Sequence, residues 1–121
     1  MIDMTPDKLF EMYGQLLNHS TKMLTWAREN RWVALISEEA EYVSTLDRIS
    51  HAESALSLSS DHHVSKSLVM EEILSKNEET YRRLLTRRLE LSMMLEEAEL
   101  KTETFVVEQF ADSSSGHPQM Q

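Results

Sequence analysis

The sequence predicts an all-α fold, an antiparallel helical bundle of three long helices plus a shorter C-terminal helix. The 121 residues include only two Gly and two Pro, which is too few for a turn-rich β protein. The abundant Leu, Glu, Met, Ala and Arg lose little side-chain freedom in a helix. We expect one helical domain over residues 1–112 and a disordered tail over residues 113–121, where Ser, Gly and Pro collect.

The first helix is predicted at about residues 6–29. Thr5 can cap it, Pro6 fits its first turn, and Asp7 favours the positive end of the helix dipole. Apolar or small residues then recur every three or four positions, which predicts one buried stripe. The members of this stripe are Leu9, Met12, Tyr13, Leu16, Ser20, Met23, Leu24 and Ala27.

The second helix is predicted at about residues 31–51, with Asn30 as its cap. A turn this short makes the first two helices antiparallel neighbours. At 100° per residue the apolar positions fill an arc about 200° wide, and Glu39 lies near its middle. A carboxylate therefore falls inside an apolar face. The arc contains Val33, Ala40, Ile36, Val43, Trp32, Leu46, Leu35, Tyr42 and Ile49.

A Ser-rich linker is predicted over residues 54–61, with Ser60 or Asp61 as the cap of the next helix. The third helix follows at about residues 62–100, a stretch without Gly or Pro. Its inward face spans an arc of about 120°. That arc contains Met70, Ile73, Leu74, Asn77, Tyr81, Leu84, Arg88, Leu91, Leu95 and Ala98.

A shorter fourth helix is predicted at about residues 102–111. We place the break between Lys101 and Thr104, because the two Thr there have lower helix propensity than their neighbours.

Four arginines fall within residues 82–88 of a chain whose formal net charge is −9. Three of them project outside the apolar arc beside glutamates, which predicts weak exposed ion pairs rather than a binding patch. No aromatic residues are interleaved with these bases, and an acidic protein repels phosphate, so we expect no direct nucleic-acid binding. The predicted pairs are Glu78 with Arg82, Glu79 with Arg83, and Arg87 with Glu90.

The fourth arginine, Arg88, lies inside the apolar arc of its helix, as Glu39 does in the second helix. A charge that faces a core is costly unless it is paired. We therefore expect Glu39 and Arg88 to form a buried or half-buried pair, with Asn77 as a third member of a structural polar seam. Alternatively, the second helix rotates and Glu39 extends into water at the edge of the bundle.

Leu85, Leu89 and Met93 form a second apolar row beside the main arc of the third helix. In one interpretation this row packs under the first helix or the terminal segment within a wide core. In the other it binds a partner, either a client helix or a second copy in a homodimer. With Leu74 and Tyr81, these residues form the predicted partner-binding set.

No motif in the sequence indicates catalysis, a cofactor or a metal. The chain has no Cys, and it has no nucleophile elbow, phosphate-binding glycine loop or HExxH motif. We therefore expect neither enzyme activity nor a cofactor. No apolar run approaches the roughly 18 residues that cross a bilayer, and the N-terminus MIDMTPDK carries acids where a signal peptide carries bases. We expect a cytoplasmic protein without membrane insertion.

The run HVSKS, residues 63–67, resembles the phosphoacceptor motif of histidine phosphotransfer domains, which are also four-helix bundles. It departs from that motif because Ser67 stands in place of a glycine and His63 lies at a predicted helix start. A histidine phosphotransfer-type signalling domain is the alternative function.

Two segments resemble the FliT family of flagellar type III export chaperones. The run WVALISEEAEYVSTL has the family's Trp, Leu, Glu, Tyr and aliphatic positions, and ILSKNEETYRRLLTRRLELS has its leucine, asparagine, paired leucines and arginine. The likeness covers roughly residues 10–100 and includes the whole polar seam. The matched positions are Trp32, Leu35, Glu39, Tyr42, Val43, Leu46, Leu74, Asn77, Leu84, Leu85, Arg88 and Leu89.

This resemblance implies a bacterial cytoplasmic chaperone that binds the helical C-terminal region of the filament-capping protein and delivers it to the export apparatus. Family members also contact the export ATPase complex and the export gate, and they restrain the flagellar master transcription activator by binding protein rather than DNA. In the family, the C-terminal helix can fold back over the client-binding surface. Phe105, Val106 and Phe110 would form that autoinhibitory or gate-docking segment here, in the least matched part of the chain.

Overall fold

In a computed structural model, the protein is described over residues 3–116, with side chains described as far as residue 109. The described residues form three helices and no strand: α1 (Pro6–Arg28), α2 (Trp32–Ser54) and α3 (Ser60–Gly116). The all-α class is confirmed.

The α1 helix follows its sequence signals closely. The hydroxyl oxygen of Thr5 accepts a hydrogen bond from the backbone N–H of Lys8, so Thr5 is the N-cap, and Pro6 occupies the first turn. Every predicted member of the apolar stripe is buried except Met12, which is half-buried. The first helix was therefore predictable from capping chemistry and a single periodic face.

The turn between α1 and α2 differs from the prediction in the role of Asn30. This residue has a left-handed backbone, with φ of 59°. The N–H of Asn30 donates to the carbonyl of Ala27 at 3.2 Å, and the N–H of Arg31 donates to the carbonyl of Trp26 at 2.8 Å. These two bonds define a Schellman motif, so Asn30 ends α1 rather than capping α2. The N-cap of α2 is Arg31, which makes no side-chain capping bond.

The α2 helix buries one edge of its wide apolar arc. Leu35 and Ile49 are buried, as predicted, but Val33, Ile36 and Val43 are exposed. Thr45 and Ala52 complete the buried face. An arc of about 200° is wider than one helix contact can cover, so part of it remains in solvent.

The α3 helix begins at Ser60, with Ser59 as its cap. The hydroxyl oxygen of Ser59 accepts a hydrogen bond from the N–H of His62 at 3.2 Å, and the N–H of Ser59 donates to Nδ1 of His62 at 3.3 Å. This reciprocal arrangement resembles a capping box, with His62 in place of the usual Glu or Gln. The predicted caps, Ser60 and Asp61, instead lie within the first turn.

No break separates a fourth helix, because α3 continues through residues 102–111 to Gly116. The hydroxyl of Thr102 donates to the carbonyl of Ala98 at 2.9 Å, and Lys101 pairs with Glu97 at 3.3 Å. Both are interactions between residues one helical turn apart, and they fit a continuing helix. The predicted disordered tail over residues 113–121 overlaps the end of α3, and its remainder lies outside the described residues.

The core consists of two clusters, and all three helices contribute to the larger one. A smaller cluster of Met23, Ala27 and Leu35 lies between α1 and α2. The main cluster comprises Leu9, Tyr13, Leu16, Ile49, Ala52 and Ile73.

The chain divides into two compact units, and the single domain expected over residues 1–112 stays a prediction. The first unit ends at Leu84 and the second begins at Leu85. The first unit holds α1, α2 and the part of α3 up to Leu84, and both core clusters belong to it.

Replacing Asn30 with Val should lower the free energy of unfolding by about 1–2 kcal/mol, because a β-branched residue is strained in the left-handed region. Urea unfolding measures the change. Asn30→Gly is the matched control, since Gly adopts this backbone freely and should leave stability unchanged or higher. Equal losses in the two variants would contradict the role given to Asn30.

Ser20 lies in the α1 stripe, fully buried, and its hydroxyl has no hydrogen-bond partner. A buried hydroxyl without a partner costs stability. Ser20→Ala should therefore raise the free energy of unfolding.

Ser20→Ala should raise the free energy of unfolding by about 1 kcal/mol more than Ser37→Ala does. Ser37 is exposed on α2, so its replacement with Ala measures the helix-propensity effect alone. Thermal and urea unfolding of both variants would test it. A smaller gain for Ser20→Ala than for Ser37→Ala would show that the hydroxyl is satisfied.

Candidate partner-binding surfaces

A groove of ≈ 300 Å³ lies in the first unit. Residues from α2 and α3 form most of it, and Met23 of α1, which is buried, also contributes. Its lining is mainly apolar, with a few polar groups set among apolar side chains. The lining residues are Met23, Glu39, Tyr42, Val43, Asn77, Thr80, Tyr81 and Leu84.

Asn77 joins the two helices that form this groove. Its Nδ2 donates to the hydroxyl oxygen of Tyr42 at 3.0 Å. Its Oδ1 is buried and has no hydrogen-bond partner. Most buried carbonyl groups in proteins are hydrogen-bonded, so this unpaired oxygen is unusual.

The expected burial of Glu39 and Arg88 is wrong, because both side chains are exposed. Glu39 instead fits the alternative in which the second helix rotates its carboxylate into water. Glu39 makes no hydrogen bond or ion pair that the structure records among its described residues. Water solvates an exposed charge, so no internal partner is needed for stability.

The predicted partner-binding residues are exposed in both units. In the first unit, Leu74 and Tyr81 are 59% and 61% exposed. In the second unit, Leu85, Leu89 and Met93 are 44%, 62% and 61% exposed. Within the second unit, the row is therefore exposed.

The second unit does not cover this row with its terminal segment. Phe105 and Val106 are exposed, and the side chain of Phe110 lies outside the described residues. Because α3 is continuous, Phe105 lies 16 residues along the same helix from Leu89, or about 24 Å at 1.5 Å per residue. A residue that far along one helix cannot fold back over the row, so neither Phe105 nor Val106 covers it.

The outer arginines form the exposed ion pairs that the sequence predicts. Arg82 pairs with Glu78 at 2.9 Å, and Arg83 with Glu79 at 2.9 Å. In the second unit, Arg87 pairs with Glu90 at 3.5 Å.

Glu79 makes a further contact that the sequence did not indicate. Arg28, in the last turn of α1, donates two hydrogen bonds to this carboxylate, both at 2.7 Å. These bonds, followed by that from Arg83, lower the pKa of the Glu79 carboxyl to about 2. A bidentate pair therefore connects the end of α1 with α3.

Replacing Glu79 with Gln should lower the free energy of unfolding at neutral pH, and this loss should shrink as the pH falls. The folded-state pKa of about 2 lies below the ordinary value of 4.5, so the stabilisation is complete above pH 4.5 and is lost as the pH falls toward 2. Urea unfolding of both proteins across this range measures the effect.

Glu78→Gln is the matched control for this measurement, because it removes an ion pair within one helix and should change stability by a few tenths of a kcal/mol at most. A loss for Glu79→Gln that stays constant from neutral pH down to about pH 2 would contradict the assignment.

The histidines and acids of the described chain form no recognisable chemical centre. His63 is exposed in the first turn of α3, as the sequence predicts, and not in the middle of a helix. Within residues 3–116 no group of three His, Asp or Glu side chains could hold a metal ion. Over the same residues no helix has both the length and the apolar character that crossing a membrane requires.

Five groove residues escaped the sequence analysis as members of a site. Four appeared as members of apolar stripes, three of them also as positions matched to the family, and Thr80 did not appear at all. The four are Met23, Tyr42, Val43 and Leu84. Thr80 is buried and its hydroxyl donates to the carbonyl of Lys76 at 3.1 Å, which satisfies it within the helix. Thr80 lies seven residues after Ile73 and therefore on the same face of α3, and this spacing was the sequence signal that could have identified it.

Comparison with known proteins identifies the family. The family described as Flagellar protein FliT matches residues 10–103. A curated relative with the same description, from Photorhabdus laumondii subsp. laumondii, is 32% identical over 93 residues, which cover 74% of this chain and 72% of the relative. No solved structure matches the chain. The matched range agrees with the resemblance seen in the sequence, and the chain belongs to the FliT family of flagellar proteins.

Proposed function

We propose that this chain is a flagellar export chaperone that binds the helical C-terminal region of the filament-capping protein, keeps it soluble and delivers it to the type III export apparatus. Family membership supports the flagellar role. The exposed apolar row of Leu85, Leu89 and Met93 is the observation that supports the binding of a client.

This row has the spacing of a helix-binding surface. Its members lie at i, i+4 and i+8, so they form a strip along one side of α3. Every described side chain from Arg88 to Gln109 is exposed. A helix gains most of its stability from packing of its apolar face, so a partner that covers this strip would stabilise α3 as well as itself.

A helical client suits the strip better than an extended one. An amphipathic helix presents apolar side chains at the same three- and four-residue spacing, and its backbone groups are already hydrogen-bonded. An extended segment binds best along the edge of a sheet, and the described chain contains no strand.

The same proposal includes the other protein partners of the family. The flagellar master transcription activator, the export ATPase complex and the export gate are further candidates for the exposed apolar surfaces, with Phe105 and Val106 as a gate-docking segment. The acidic charge of −9 argues against direct binding to nucleic acid. A homodimer of the free protein would use the same kind of surface.

Replacing Leu85 and Leu89 together with Asp should weaken binding of the capping protein's C-terminal region by at least about 100-fold, since each Leu loses its apolar burial. Isothermal titration calorimetry measures the affinity, and far-UV circular dichroism should show that the helical signal persists.

The matched control replaces Leu91 and Leu95 with Asp. These two residues have the same spacing on the same helix, are also exposed, and lie on a different side. This variant should bind with an affinity close to that of the unmodified chain. Equal losses in both double variants, or no binding by the unmodified chain, would overturn the proposal.

A further inference from the structure

The groove in the first unit contains a carboxylate without a cationic partner. This carboxylate, on Glu39, is exposed and makes no ion pair recorded among the described residues. No Lys, Arg or His is among its described lining residues. The chemistry that would complete it is therefore a donor, and beside a carboxylate a positively charged donor is favoured over a neutral one.

The walls of the groove are apolar at the same time. Val43 and Tyr81 are more than half exposed, and Met23 is buried. A volume of ≈ 300 Å³ is at the small end of ligand-binding pockets. This size suits one or two side chains of a partner, with an apolar stem against the walls and a polar end at the Glu39 carboxylate. Lys and Arg are the side chains that combine a long apolar stem with a cationic end.

We propose that this groove binds a Lys or Arg side chain that a partner helix carries on its apolar face. The cationic end donates to the Glu39 carboxylate, and the stem packs on Val43 and Tyr81. The groove thereby selects among amphipathic helices, because a helix without a base covers the Glu39 carboxylate without pairing it.

A second copy of this chain is a poorer occupant than a basic helix. The formal charge of −9 makes two copies repel, whereas it attracts a cationic segment at long range. The inference takes one element from the proposed function, namely that the partner is a client helix. It concerns the chemistry of the first unit and does not use the row of Leu85, Leu89 and Met93.

The test uses the full chain and five synthetic 18-residue amphipathic helices. Each has a leucine face with one central position occupied by Arg, Lys, Gln, Met or Glu. The Arg and Lys peptides should bind at least about tenfold more tightly than the Gln and Met peptides, as expected for a charge-assisted hydrogen bond in a partly desolvated site, and the Glu peptide should bind most weakly. Calorimetry gives the affinities, and the side-chain amide signal of Asn77 in NMR spectra reports occupancy of the groove.

The variant Glu39→Gln should remove most of the preference for Arg and Lys while it keeps the affinity for the Met peptide. Glu41→Gln is the matched control, because Glu41 is exposed on the same helix but does not line the groove. It should retain the full preference. The preference of the unmodified chain for the Arg and Lys peptides should also weaken as the salt concentration rises.

Equal affinities for the Arg, Gln and Met peptides would overturn the inference, as would a preference that survives Glu39→Gln. A shift of the Asn77 signal that depends only on protein concentration would identify a second copy as the occupant and would also overturn it. If the capping protein fails to bind but the Arg preference disappears with Glu39→Gln, the inference holds and the proposed client is wrong.

Discussion

The packing of Leu16, Ile49 and Ile73 in one core determines which faces of the three helices remain available to partners. The α2 and α3 helices have more apolar surface than this core uses. Since α2 buries the edge that carries Leu35 and Ile49, the other edge of its arc, with Ile36 and Val43, stays in solvent. The proposed binding surfaces are thus the apolar surface left over when a small core is complete.

Polar contacts hold the walls of the groove in place at two positions along α3. At one, the hydroxyl of Tyr13 donates to Glu53, which also pairs with Lys66 at 2.8 Å. At the other, Arg28 binds Glu79 in a bidentate pair. Each set joins helices that are distant in sequence, so together they restrict sliding of α3 against α1 and α2. A groove whose walls are fixed can discriminate between side chains of similar size.

Features that depend on neighbouring residues, such as a helix cap or a helix with one apolar face, were predictable from the sequence. Features that depend on packing between distant residues were not. The cap at Thr5 and the stripe of α1 were correct because each depends on neighbours within one or two turns. The wide arc of α2 could not show which half is buried, because that depends on where another helix packs. Propensity suggested a break near Thr102, whereas the hydroxyl of that residue bonds one turn back and the helix continues. Asn77 stood out as polar on an apolar face, but its partner Tyr42 lies 35 residues away.

The exposed apolar row of Leu85, Leu89 and Met93 has a consequence for the fraction of this protein that is free to bind in a cell. Under the proposed function, a homodimer that covered this row would compete with client binding by mass action. Doubling the amount of protein would then yield less than double the free binding sites. Synthesis of this protein in proportion to its client would keep the largest fraction of chains free to bind.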